Sequence, residues 1–246
     1  SGGIILNTSS NNTVDLTGNI DSGGIGIQML LGEGNTINVT GNIDTANGSA
    51  SGVYMRLTEF NTINITGNVT TLNDFADAFE LENSGSNTIN FNGNITTSGI
   101  GAEGILINAS HLNTTTMTGN INISGANAYG ILISVSNSNT TTMTGNITTT
   151  GSVSRGIYIF GSDSNTTTMT GNISTTGLNA PGLELNASDS NNITMNGDIT
   201  TSSTGGDGEP IRFTNSDSNT ITLSGAAHSL GGDQAISLDT DSQSNT

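Results

Sequence analysis

Apolar residues along this chain recur in short alternating runs set among Asn, Thr, Ser and Gly, and the runs themselves repeat. One kind follows a glycine: IIL after Gly3, VYMRL after Gly52, ILI after Gly104 and Gly130, IYI after Gly156, LEL after Gly182. Alternation with period two marks a half-buried strand, so Val53, Met55 and Leu57 are expected to point inward and Tyr54 and Arg56 outward. A second kind follows an Asn column that includes Asn35, Asn61, Asn87, Asn113, Asn139, Asn165, Asn191 and Asn219. After it, Ile37 and Val39, Ile63 and Ile65, or Ile193 and Met195 alternate with Thr and Asn. In three central copies the inward pair becomes Thr115 with Met117, Thr141 with Met143 and Thr167 with Met169. Those inward hydroxyls are expected to bond to one another or to the backbone. The third kind is short and centres on the residue after a Gly-Asn pair, as at Ile43, Ile95, Ile121 and Ile147.

The glycine of that pair falls at Gly41, Gly67, Gly93, Gly119, Gly145, Gly171 and, with Asp198 in place of Asn, Gly197, a constant step of 26 residues. A fixed period of this size is the mark of a solenoid. Three extended segments per period, stacked apolar columns and bends at Gly and Asn imply an all-β fold, a right-handed parallel β-helix. It has three strands per coil, about 26 residues per coil and nine to ten coils. Residues 1–246 form a single solenoid, a rod of roughly 45 Å at ~4.8 Å per coil. Because the array opens and closes within a repeat, a piece of a longer chain is expected. Between the third segment and the next first one lies a variable loop: LNDFAD, SGIGAE, SGANAY, TGSVSR, TGLNAP and the longer SSTGGDGE. Loops on a rigid scaffold are where binding is usually placed.

Composition narrows the partners more than the fold. Hydrophobic residues are 31% of the chain, low enough to suggest disorder, but a disordered tract has no reason to keep Ile in fixed columns. The absence of Cys removes disulfides and thiolate metal sites. Twenty Asp and Glu against three Arg and no Lys give a net charge of -17, which argues against nucleic acid and anionic membranes as partners. No apolar run approaches the ~20 residues of a membrane span. Direct membrane insertion is not expected, and no cofactor is implied.

Repeats such as NTINVTGNI and NTINITGNV with their Gly-led GILI strands resemble the β-helical passenger domains of bacterial autotransporters and related cell-surface adhesins. The resemblance is one of repeat grammar over nearly the whole chain. It implies a secreted or cell-surface, extracellular rod that displays loops and flat faces to a protein or glycan, or to copies of itself. A structural subunit of an extracellular filament or surface layer, joined through open coil ends, is the first alternative. An ice-binding protein is the second.

The ice-binding alternative rests on an outward array of threonines: Thr114, Thr116 and Thr118, Thr140, Thr142 and Thr144, Thr166, Thr168 and Thr170. Threonine also favours strands and ladders for purely structural reasons. A second candidate is an apolar patch of Leu106, Leu132, Tyr158 and Phe160 on successive first strands, with Tyr129 in the neighbouring loop. An acidic column two residues before the Asn column, with Asp163, Asp189 and Asp217 adjacent, is a weak calcium candidate. Catalysis has little support. Asp74, Asp77, Glu80 and Glu82 near Arg56 form a carboxylate cluster of the kind a polysaccharide-degrading β-helix enzyme would need. Asn-x-Thr sequons, including Asn68, Asn113, Asn139 and Asn165, arise readily in such a composition.

Overall fold

Each repeat forms one turn of a coil carrying three strands, as in Ile131–Ser134, Thr140–Thr144 and Ile147–Thr149. In this computed structural model, which describes residues 3–203, 207–239 and 241–246, equivalent strands of successive turns pair in parallel and in register. They build three sheets of ten, nine and nine strands among the described residues. The chain is thus a parallel β-solenoid. The 26-residue step brings like residues together: Thr140 lies between Thr114 and Thr166, and Ile147 between Ile121 and Ile173.

The inward residues of all three sheets meet in one apolar core. Ile131, Ile133, Ile147 and Met143 are buried, as are their counterparts one turn on. In a coil this narrow each apolar column is one residue wide, so a small change of volume is felt by neighbours above and below. Phe79 and Phe91 fill one turn by packing edge to face with ring centroids 5.0 Å apart.

Two expectations fail inside the coil. Leu57 does not join the core. Its strand ends at Arg56, and Leu57 takes a left-handed conformation (φ 54°) that turns it outward. The hydroxyls of Thr115, Thr141 and Thr167 bond to nothing. Their backbone neighbours are committed to the sheet, and the side chains stand among Ile and Met with no acceptor in reach. A buried hydroxyl without a partner costs about 1–3 kcal/mol. Thr141→Val, which keeps the shape and drops the hydroxyl, is therefore expected to raise the unfolding free energy by about 1 kcal/mol, measured by urea denaturation.

Polar ladders run the length of the rod. Inside, each Asn of the column receives bonds from the turn before. Asn139 Oδ1 accepts the Asn113 N–H at 2.9 Å and the Asn113 side-chain amide at 3.2 Å, while its own amide donates to Ser110 O at 2.8 Å. Beside it runs a second inner ladder, not expected from the sequence, of Ser84, Ser110, Ser136, Ser162 and Ser188. In it the N–H of one turn donates to the hydroxyl of the next. Outside, the Asn of the Gly-Asn bend bonds in the opposite sense. The N–H of Asn146 donates back to Asn120 Oδ1, and that of Asn172 to Asn146 Oδ1, both at 2.9 Å. Burial of Asn113, Asn139 and Asn165 within the inner ladder makes their sequons inaccessible to glycosylation.

The corner between the first and second sheets uses two left-handed residues per turn. Asn83 and Ser86 occupy them in one turn, Leu57 and Phe60 in the turn before, and Val135 and Ser138 further along. Non-glycine residues lose about 1–2 kcal/mol each in this conformation, with Asn the most tolerant. Leucine, phenylalanine and valine are the least expected residues there.

Candidate functional site on the outer face of the first sheet

Two outward columns depart from the Asn-Thr monotony. One runs through the strands of the first sheet: Tyr54, Glu80, Leu106, Leu132, Tyr158, Glu184 and Arg212 are directly aligned. The other is formed by the last residue of each variable loop: Ser51, Asp77, Glu103, Tyr129, Arg155, Pro181 and Glu209, stacked by backbone bonds between turns. Together they hold all three tyrosines of the chain, two of its three arginines and its buried carboxylates Asp77, Glu103, Glu184 and Glu209. The remaining arginine, Arg56, ends the strand that carries Tyr54 and sits beside Glu82 at 3.4 Å.

At the N-terminal half of this face, Phe75, Ile100, Leu106 and Tyr129 wall an open groove of about 500 Å³ into which Asp77, Glu80 and Glu103 project. Burial, then the hydrogen bond to Glu103 and its negative charge, push the Asp77 carboxyl well above the usual range. Burial also raises Glu103, against the bond from Asp77. Both carboxyls are thus held above their ordinary values. Glu80 is pushed up to about 7, mainly by burial, although Ser51 Oγ donates to it at 2.7 Å. Tyr54 donates to Glu82 at 2.6 Å, and burial with that bond lifts its phenol to about 12. Such a groove offers apolar walls, a carboxylic acid donor and carboxylate acceptors within two turns.

These raised carboxyls make stability depend on pH in an unusual sense. A group with its pKa higher in the folded state binds more protons folded than unfolded, so it favours folding at low pH and loses that benefit as pH rises. Between pH 4.5 and about 7, the interval set by Glu80, the melting temperature is expected to fall. Glu80→Gln, neutral throughout, should flatten part of that slope in melts recorded across this range.

Further along the face, Arg155 lies over the Tyr158 ring at 4.4 Å and the Tyr129 ring at 5.3 Å. Its guanidinium is ion-paired to the buried Glu184. Tyr129 and Tyr158 meet edge to face at 5.4 Å, and Phe160 packs beside Tyr158 at 6.0 Å. Cation–π and aromatic contacts of this kind hold the rings as a fixed shelf.

The expected patch of Leu106, Leu132, Tyr158 and Phe160 therefore exists, but as part of a longer polar and aromatic face. Of the expected carboxylate cluster, Asp77 and Glu80 enter the groove and Glu82 pairs with Tyr54 and Arg56. Asp74 does not join them, because its carboxylate accepts the Ile100 N–H at 2.8 Å in the loop ladder. Glu103, Arg155 and Glu184 were not singled out from the sequence. The signal was present in the final letter of each variable loop, D, E, Y, R, a column that the search for apolar periodicity passes over.

The remaining candidates lie on other faces. The nine threonines form an outward grid on the second sheet, three strands in register. At one border the grid gives way to a shallow depression over Asn64, Asn90 and Thr116, where Asn38, Asn64 and Asn90 link their amides from turn to turn. Asp163, Asp189 and Asp217 do not converge on a cation. Asp163 accepts the Asp189 N–H at 2.8 Å and Asp189 the Asp217 N–H at 2.7 Å, so the column is an outer ladder that settles its charge on backbone donors. Among the described residues no group of three or more His, Cys, Asp or Glu is placed to hold a metal. No helix among them is long and apolar enough to cross a membrane.

The fold and its repeat define the chain as a three-sheet parallel β-solenoid of the repeat-protein class. No protein-family model, curated protein or solved structure matches it.

Proposed function

We propose that this chain is the binding rod of a secreted or cell-surface protein, adhesin-like or passenger-like in its architecture, which grips a glycan along the outer face of its first sheet. The observation that carries this reading is the concentration of tyrosines, arginines and buried carboxyls on one face of an otherwise monotonous rod. Aromatic rings offer stacking surfaces to sugar rings, and carboxyl groups in both protonation states can accept from and donate to hydroxyls. The surface location rests on the resemblance of repeat grammar alone.

A glycan array probed with the intact chain tests it. Binding to a defined set of glycans is expected, weakened in Tyr129→Ala and Glu80→Gln and unchanged in Thr142→Tyr on the second sheet. Binding lost in Thr142→Tyr and retained in the other two would move the site to the threonine face, and no glycan bound at all would end the proposal. The convergence of three raised carboxyls, Asp77, Glu80 and Glu103, in one groove favours one further reading, hydrolysis of the bound glycan by general acid–base chemistry. That reading requires chain cleavage by the wild type that disappears in Glu80→Gln.

A further inference from the structure

Large apolar side chains stand exposed at the corner between the first and second sheets, where the backbone disfavours them. Leu31, Leu57 and Val135 occupy the first left-handed position, and Phe60 and Leu112 the second. Other turns use Asn83, Asn215, Ser86 or Ser164 at the same places, so the fold does not require them. Exposed apolar residues held in an uncomfortable conformation point to a contact outside the coil.

Between the two positions runs a groove along the rod axis. One stretch, about 320 Å³, is bordered by Leu31, Leu57, Glu33 and Glu59. The next, about 250 Å³, shares Glu59 and Asn83 with it and ends at His111 and Leu112. The groove floor opens at Gly85, where neighbouring turns carry Glu59 and His111. From Ser10 to Leu112 it crosses four coil steps, roughly 19 Å, which matches about six residues of extended chain.

Glu33 and Glu59 lie one above the other, joined by a backbone bridge, so the groove carries negative charge on two adjacent turns. The chain's own cations are committed elsewhere: Arg56 to Glu82, Arg155 to Glu184 and Arg212 to Asp207. With no lysine in the sequence, a second copy could not supply the charge. We propose that this corner groove is a docking site for an extended segment of another protein in which basic residues alternate with apolar ones. The basic side chains would meet Glu33 and Glu59, and an apolar one would seat over Gly85 beside Leu112.

The test uses the intact chain and three labelled octapeptides, alternating Lys-Leu, Lys-Ser and Glu-Leu, followed by fluorescence anisotropy. The Lys-Leu peptide is expected to bind, with affinity lowered about tenfold or more by Leu112→Ser and by Glu59→Gln. Glu80→Gln, on the first-sheet face, should leave it unchanged. Serine is the native residue at the equivalent corner of the turns on either side of Leu112, Ser86 and Ser138, and Glu59 is exposed, so both variants are expected to fold. A thermal melt of each checks this, and Glu59→Gln decides alone if Leu112→Ser melts early. Equal binding of Lys-Ser, which would reduce the effect to net charge, or Lys-Leu binding indifferent to Glu59→Gln, would overturn the proposal.

Discussion

Asn139→Ala is expected to lower the unfolding free energy by on the order of 3–5 kcal/mol, more than the loss of any outward side chain on the same turn. The side chain is 1% exposed. Its oxygen satisfies the Asn113 N–H and side-chain amide, and its nitrogen donates to Ser110 O and to Asn165 Oδ1. Truncation strands buried donors and acceptors on the turns before and after it and leaves a cavity at the corner. Asn146→Ala supplies the contrast. Its oxygen likewise accepts one N–H, that of Asn172, but at the exposed bend, where water can replace it. A loss of about 1 kcal/mol or less is expected there. Urea denaturation of both variants measures the difference. Hydrogen exchange should show the added opening confined to the turns around residue 139, since each turn of a solenoid contacts only its neighbours. Equal losses in the two variants would show that the inner ladder carries no special weight.

Gly145→Ala is expected to destabilise by roughly 3 kcal/mol or more. Gly145 has φ +143°, and a Cβ built on it would lie 2.0 Å from the carbonyl oxygen of Gly119, one turn below. The obstacle is backbone, and it recurs down the stack, for Gly119 meets Gly93 in the same way. Neither can yield without separating sheets. Gly48 separates this clash from simple strain. It too has positive φ, +59°, but open space lies around it, so Gly48→Ala should cost only about 1–2 kcal/mol. The stacked glycines thus set how closely turns approach at this bend, and equilibrium unfolding of the pair of variants tests it.

Most of the fold could be read from the chain because a solenoid writes its geometry into the sequence: one period, three apolar columns, one bend per Gly-Asn. Ile131, Met143 and Ile147 lie where alternation places them. Two kinds of information were not legible. The first was what the columns between the strands do. The Asn at 139 marks the start of a segment in the sequence, yet it is a buried hydrogen-bonding ladder, and the serines beside it, such as Ser110, look like ordinary loop residues. Their burial follows from the tight corner, which the pattern of apolar residues does not report. The second was where alternation stops. Leu57 continues the in-out rhythm of Val53 and Met55, but the strand ends one residue earlier and a left-handed turn reverses its direction. For the candidate site, Asp77, Glu80 and Leu106 were recognisable as unusual residues. Their assembly with Glu103, Tyr129 and Arg155 required lining up loops of unequal sequence, which only the coil accomplishes.

The ladders have a consequence of an electrical kind. The backbone N–H groups of the inner Asn and Ser columns donate forward to the following turn, while those of the outer Asn and Asp columns donate back. The strings of aligned group dipoles therefore oppose one another. In an α-helix aligned dipoles add and leave partial charges at the two ends; here each added turn contributes bonds of both senses. A coil wired in this way can gain or lose turns without its ends becoming charged poles, and the number of repeats is free to follow the reach that the molecule needs.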